Sequence, residues 1–126
     1  MTLLLRLLLI VFLFLFLGCE WKYRSMEVTA TAYTSSRAET LGDPTLTAWG
    51  DTLKPGMKAI AVSRDLIKKG LTHGVAVKID GMEGEYIVRD KMHRRWEKKI
   101  DIYFGNDRKA AREFGKKQVV IRWHPH

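Results

Sequence analysis

Two carboxylates are the residues of this 126-residue chain best suited to acid–base work. Asp90 ends the run GEYIVRD (84–90), and Asp101 lies in KKIDIYFG (98–105), eleven positions further on. Ile100 and Ile102 flank Asp101. Where these isoleucines point inward, strand alternation turns Asp101 to the opposite face, towards a groove. A carboxylic acid stays protonated near neutral pH only where an apolar wall or a second carboxylate raises its pKa, and Asp90 is the candidate neighbour. Lys91, His93, Arg94, Arg95, Lys98 and Lys99 lie between the two. These cations suit a ligand's anionic groups and equally suit a solvated loop. They also lower the pKa of a nearby aspartate, which opposes an acid role.

Other chemistries lack their residues. Cys19 is the single cysteine, so no internal disulfide is expected, and a domain beyond it has no thiol nucleophile. His73, His93, His124 and His126 are scattered without the His-x-x-x-His spacing of a helical metal pair. No metal and no cofactor are expected. The formal net charge is +8, which favours an anionic partner: a phospholipid surface, a carboxylate-bearing glycan or a nucleic acid. Charge alone does not choose among them, and a plain solvated basic surface fits as well. No nucleic-acid motif is present, so no nucleic-acid partner is expected.

Residues 3–18, LLLRLLLIVFLFLFLG, are apolar except for Arg6. The run suits a signal-peptide core and is short for a bilayer span, which takes about 20 apolar residues. Gly18 followed by Cys19 resembles a bacterial lipoprotein signal, in which Cys19 would become the lipidated N-terminus, although Phe16 and Leu17 depart from the usual residues before the cysteine. An uncleaved anchor with Arg6 reaching the interface is the alternative. Either places the domain outside the cytoplasm, against a membrane. Glu20 after the cysteine is compatible with outer-membrane delivery.

The rest must supply the elements that position the aspartates. Residues 20–26 read as a polar spacer and 27–126 as one domain. Strands are expected over 27–34, 58–63, 74–80, 84–90, 98–105 and 118–123, with a turn at Asp80-Gly81-Met82-Glu83. The stretch 35–57 is punctuated by Gly, Pro, Asp and Ser and reads as loops. Asp65 to Lys69 allows one helical turn. Asn106-Asp107 offers an N-cap for RKAAREFGKK, with Gly115 as a stop. Six short strands and one short C-terminal helix predict a mainly β fold, a small barrel rather than a sandwich.

The ordered segments ATAYT (30–34), TLTAWG (45–50), KAIAVS (58–63), VRD (88–90), KIDIYFG (99–105) and AAREFGKKQVVI (110–121) together resemble the three-aspartate (3D) domain. That family includes the catalytic part of membrane-bound lytic transglycosylases of type A. The resemblance covers residues 28–122. It implies a six-stranded double-psi β-barrel, similar to those of rare lipoprotein A and expansins. It implies peptidoglycan glycan strands as the partner, cleaved between N-acetylmuramic acid and N-acetylglucosamine to a 1,6-anhydro product. A non-catalytic peptidoglycan-binding module is the alternative.

Carried over residue by residue, Asp101 matches the aspartate taken as catalytic acid/base, and Asp90 holds the spacing of the second. The glycines that follow that second aspartate in the family are absent. At the first aspartate this chain has Ser63, whose hydroxyl is a candidate substrate-binding group, with Asp65 two residues on. Thr31, Thr34 and Thr47 fall in motifs around the family's cleft, and hydroxyls suit sugar hydrogen bonding. Tyr33 and Trp49 suit sugar stacking or the interior of a small barrel. Lys91 and Arg94 suit the lactyl and stem-peptide carboxylates of peptidoglycan.

Overall fold

A computed structural model describes residues 22–35 and 45–125. Residues 1–21, which include the apolar run and Cys19, residues 36–44 and His126 lie outside the described residues. Among the described residues no helix is long and apolar enough to cross a membrane.

Six strands form the body: β1 (Arg24–Tyr33), β2 (Ala59–Val62), β3 (Ala76–Ile79), β4 (Tyr86–Lys91), β5 (Lys99–Tyr103) and β6 (Lys117–Trp123). They close into a barrel in the order β1-β5-β2-β4-β3-β6. Two pairs are parallel, β1 with β5 and β2 with β4, and the other four are antiparallel. The chain is mainly β, a closed mixed barrel consistent with the double-psi arrangement. Among the described residues two short helices accompany it: the expected α2 (Arg108–Phe114), and α1 (Arg64–Ile67), the single turn allowed over Asp65 to Lys69.

Alternation builds the barrel. Val28 and Ala30 on β1, Ile60 and Val62 on β2, Val88 on β4 and Ile100 and Ile102 on β5 all point inward and are sealed from solvent. Burial of each of these valines and isoleucines is worth about 1.5–3 kcal/mol, which fixes the register of their strands. β1 begins at Arg24, earlier than its alternating stretch suggests, because its first half pairs with β6 from Arg24↔Trp123 onward. Asp107 caps α2 by accepting from the Ala110 amide at 3.0 Å. Gly115 ends the helix at φ 65°, a left-handed backbone that glycine adopts without penalty.

The segment 45–57 folds over the outside of the barrel. Leu53 is buried there with Ala59 and Tyr103, and Tyr33 and Met57 pack against them. This second, smaller apolar cluster lies on the outward face of β1, β5 and β2.

Candidate functional site

Register brings the two aspartates together. Asp101 on β5 pairs with Ala61 on β2, and Ala61 pairs with Asp90 on β4. On the other side Asp101 pairs with Thr31 on β1. Four residues on four adjacent strands thus form one row, Thr31–Asp101–Ala61–Asp90. Partners in register share a face, and this face is the one opposite Ile100 and Ile102. The two carboxylate-bearing strands are separated by β2 alone, roughly 10 Å across at the usual inter-strand spacing.

A bulge completes the row. Ile60 pairs with Val88, but the next β2 residue, Ala61, pairs with Asp90. Arg89 is the extra residue. Without this shift Arg89 would lie opposite Ala61 and Asp90 would fall out of line. Between the carboxylates stands alanine, the smallest side chain, which leaves the floor of the row low.

The two aspartates have different surroundings. Asp101 accepts a hydrogen bond from the Thr31 hydroxyl at 2.9 Å. Burial pushes its pKa above the ordinary carboxylate range; the Thr31 bond and Lys99 pull it down, Asp90 pushes it up, and the net direction is up. Asp90 accepts instead from two amides, Ala48 and Lys91, each at 2.8 Å to Oδ1. The first bond ties the outer segment 45–57 to the row.

Tyr33 stands beside both. Burial, then Asp90, then Asp101, then Tyr103 raise its pKa. Its hydroxyl oxygen is buried and has no hydrogen-bond partner among the described residues. A buried polar group left unpaired costs about 1–3 kcal/mol. Its ring packs on Tyr103, centroids 5.4 Å apart, and the Tyr103 hydroxyl bonds Ser35. Thr31, Tyr33 and Thr34 also line a cleft of about 310 Å³ beside β1, together with Arg108 and Arg112 of α2.

The remaining expected site residues fall in two groups. Trp49 and Lys91 lie at the Asp90 edge, with the Lys91 ammonium 5.7 Å from the centre of the Trp49 ring. Trp49 also tilts against His73, whose ring nitrogen bonds Asp51. Arg94 is exposed in the turn that follows Lys91. Ser63 and Thr47, by contrast, are turned to structural use. Ser63 is fully buried and its hydroxyl accepts from the Lys99 amide at 3.0 Å. That leaves it no surface to offer a sugar. Thr47, also buried, accepts from the Asp51 amide and shapes the turn that carries Trp49.

Asp65 does not join the row either. It accepts from the Lys98 amide at 2.9 Å. Burial pushes its carboxyl up, but hydrogen bonds from the Ser63 hydroxyl and from amides outweigh burial and hold the pKa below the ordinary value. Lys98 has φ 45°, a left-handed backbone unusual for a residue with a side chain. Ser63 and Asp65 together therefore pin the start of β5, two residues before Asp101.

Two features of the site were not singled out from the sequence. One is Ala61, whose value depends on which strands flank it. The other is Trp96, which is exposed, with the Lys99 ammonium 3.6 Å and the Arg95 guanidinium 4.8 Å from its ring centre. Cation–ring stacks of this kind contribute about 0.5–1 kcal/mol at exposed positions. A tryptophan inside the charged run HRRWEKK has no core to fill, and that was the available signal. Among the described residues no group of three or more His, Cys, Asp or Glu side chains is placed to hold a metal ion.

No family model matches the chain, and neither does any protein of curated function. Solved structures do. The chain is similar to the apo expansin of Clavibacter michiganensis, with a TM-score of 0.53 and 16% identity over 79% of this chain and 50% of that one. An Asp-to-Asn variant of the same expansin, in complex with cellohexaose, matches with a TM-score of 0.52, again at 16% identity. The likeness is one of fold. The chain spans about half the length of the expansin it matches. The kinship of fold with expansins that the sequence resemblance implies is thus present in the structure.

Proposed function

We propose that this chain is a cell-envelope domain that holds peptidoglycan glycan strands across the row Thr31–Asp101–Ala61–Asp90. The row itself carries the reading: three polar side chains on one outer face of the barrel, around a floor lowered by alanine, with the Tyr33 hydroxyl, unpartnered among the described residues, beside them. The β-bulge that sets Asp90 in line supports it, since bulges gather next to functional sites. A related barrel occurs in an expansin solved with cellohexaose, which supports a saccharide as the ligand class. The apolar leader supports a place outside the cytoplasm, tethered through lipid on Cys19 or an uncleaved anchor.

One observation favours a second reading, lytic cleavage, and that is the raised pKa of Asp101. A protonated Asp101 would give its proton to the glycosidic oxygen as the bond to C1 of muramic acid breaks. The C6 hydroxyl oxygen would then bond to C1 and return its proton to the Asp101 carboxylate, leaving a 1,6-anhydro sugar. One carboxyl serves both steps because the nucleophile belongs to the substrate, unlike the two-carboxylate glycosidases. Asp90 would act on Asp101 through charge.

Purified sacculi test both. The protein is expected to sediment with them, and Ala61→Leu, which fills the floor, to weaken binding by at least about tenfold through steric exclusion. Failure of the parent protein to sediment defeats the binding reading. Release of anhydro-muropeptides, measured by mass spectrometry and lost in Asp101→Asn, establishes cleavage; binding with no such product leaves the module.

A further inference from the structure

The wall formed by β6 and β3 stands apart from the acidic row. Arg122 of β6 pairs with Lys78 of β3 and with Ser25 of β1, so the three share one outer face. Their neighbours Val77, Ile79, Ile121 and Trp123 turn inward and are buried. Tyr23 is 53% exposed at the edge of this face. Its ring stacks on His124 with centroids 3.7 Å apart, and the Lys78 ammonium lies 6.0 Å from its centre. Tyr23, His124, Lys78 and Arg122 line a hollow of about 160 Å³, together with Ala76 and Glu85. Lys22 and Arg24 flank Tyr23 in the chain, and all three are exposed. Lys68 and Lys69 lie alongside, because Lys69 O accepts from the Arg24 guanidinium. Against these cations stand Glu85 and Asp80, and Asp80 is paired with Arg122 at 3.1 Å.

We propose that this face docks on anionic phospholipid headgroups, with a headgroup phosphate seated in the hollow between Lys78 and Arg122. The docking rests on the tethered-domain reading above and adds the surface that meets the bilayer. Reach is the first reason. The apolar run ends at Gly18, four residues before Lys22. Four residues span at most about 14 Å when fully extended. A domain tethered there, by lipid on Cys19 or by an anchor, keeps Tyr23 and its neighbours within about two screening lengths of the bilayer. Chemistry is the second. A tyrosine has an apolar body and a polar tip and suits the headgroup layer, while Lys and Arg near an anionic surface are drawn to it. The hollow is below the roughly 300 Å³ at which pockets for larger ligands begin, and two cations on its wall suit one phosphate. Thr31 stands seven residues beyond Arg24 on β1, roughly 23 Å along an extended strand. Docking by the Arg24 end therefore holds the acidic row clear of the bilayer.

NMR of the full chain in lipid nanodiscs that carry a spin-labelled headgroup tests the docking. In discs of phosphatidylglycerol mixed with phosphatidylcholine, the amides of residues 22–25, 69–70 and 122–124 are expected to broaden while those of Thr31 and Asp101 stay sharp. Discs of phosphatidylcholine alone are expected to broaden the first group several-fold less. Lys22→Glu with Lys78→Glu is expected to reduce the broadening in anionic discs to that level. Both lysines are exposed and outside the acidic row, so melting temperature and sedimentation with sacculi are expected to match the parent. Equal broadening in the two lipids, or broadening that survives the double substitution, overturns the proposal, since the tether alone would then hold this end at the bilayer. Shifts of the Lys78 and Arg122 amides on adding inorganic phosphate, with no response to anionic lipid, assign the hollow to a free anion and also overturn it. A chain that does not enter the discs at all defeats the tethered-domain reading, and the docking with it, while glycan binding stands on its own test.

Discussion

Asp101 sits where burial disfavours charge. Its folded pKa is raised, so ionising it costs more in the folded protein than in the unfolded chain. The stability linked to this group is therefore full below the unfolded pKa, about 4. It is lost as pH rises through the higher folded value. Asn replaces the carboxylate without the charge and keeps a carbonyl oxygen to accept from Thr31. Asp101→Asn is thus expected to melt above the parent at neutral pH, with the gap closing as the pH falls below the ordinary carboxylate range. Circular-dichroism melts of both proteins across that range check the sign; an Asn variant that melts lower at neutral pH would show the carboxylate to be a net stabiliser. A side chain kept at a cost to the fold is the pattern of a functional residue rather than of one satisfying a loop.

Elements decide where that side chain sits. β5 starts from a left-handed Lys98, and the backbone is held there by the Asp65 carboxylate and the Ser63 hydroxyl. Ser63→Ala leaves the Lys99 amide without its acceptor beside a fully buried position. The expected loss is about 1–3 kcal/mol, read by urea denaturation, with weaker sedimentation on sacculi because Asp101 is two residues away. A variant as stable as the parent would mean that the amide finds another acceptor.

Ser63 also shows how far the sequence could be read. Alternation in EVTATAYT and KIDIYFG marked the strands and turned Asp101 outward, and Asp107 with Gly115 bounded α2, because these signals are local. Pairing is not local. That Asp90 and Asp101 share a row depends on two strands being neighbours of β2 and on a bulge that adds Arg89. Nothing in KAIAVS or GEYIVRD announces either. The hydroxyls of Ser63 and Thr47 looked like sugar ligands by type, but only packing shows that backbone amides already occupy them.

At the scale of the whole molecule, the fastening of the barrel and the acidic row lie apart. β1 runs from Arg24, at the closing pair with Trp123, to Thr31 in the row, seven residues or roughly 23 Å along an extended strand. At the closing end one carbonyl serves as a clasp: Lys69 O accepts from the Arg24 guanidinium at 2.8 Å and from the Trp123 indole at 3.3 Å. The next residue, Gly70, has φ 98°, and a Cβ there would meet the Pro125 Cβ at 2.7 Å. Gly70→Ala therefore adds backbone strain and a collision where β1 and β6 are tied. It is expected to destabilise the fold by about 2–4 kcal/mol, a fall in melting temperature on the order of 10 °C for a domain of this size. Glycan binding measured well below the transition is expected to stay within about twofold of the parent, since distant independent sites add rather than couple. If Gly70→Ala lost binding while still folded, the clasp and the row would be one cooperative unit. A barrel that separates the two can carry a strained, low-floored site on one wall because its closure is secured elsewhere.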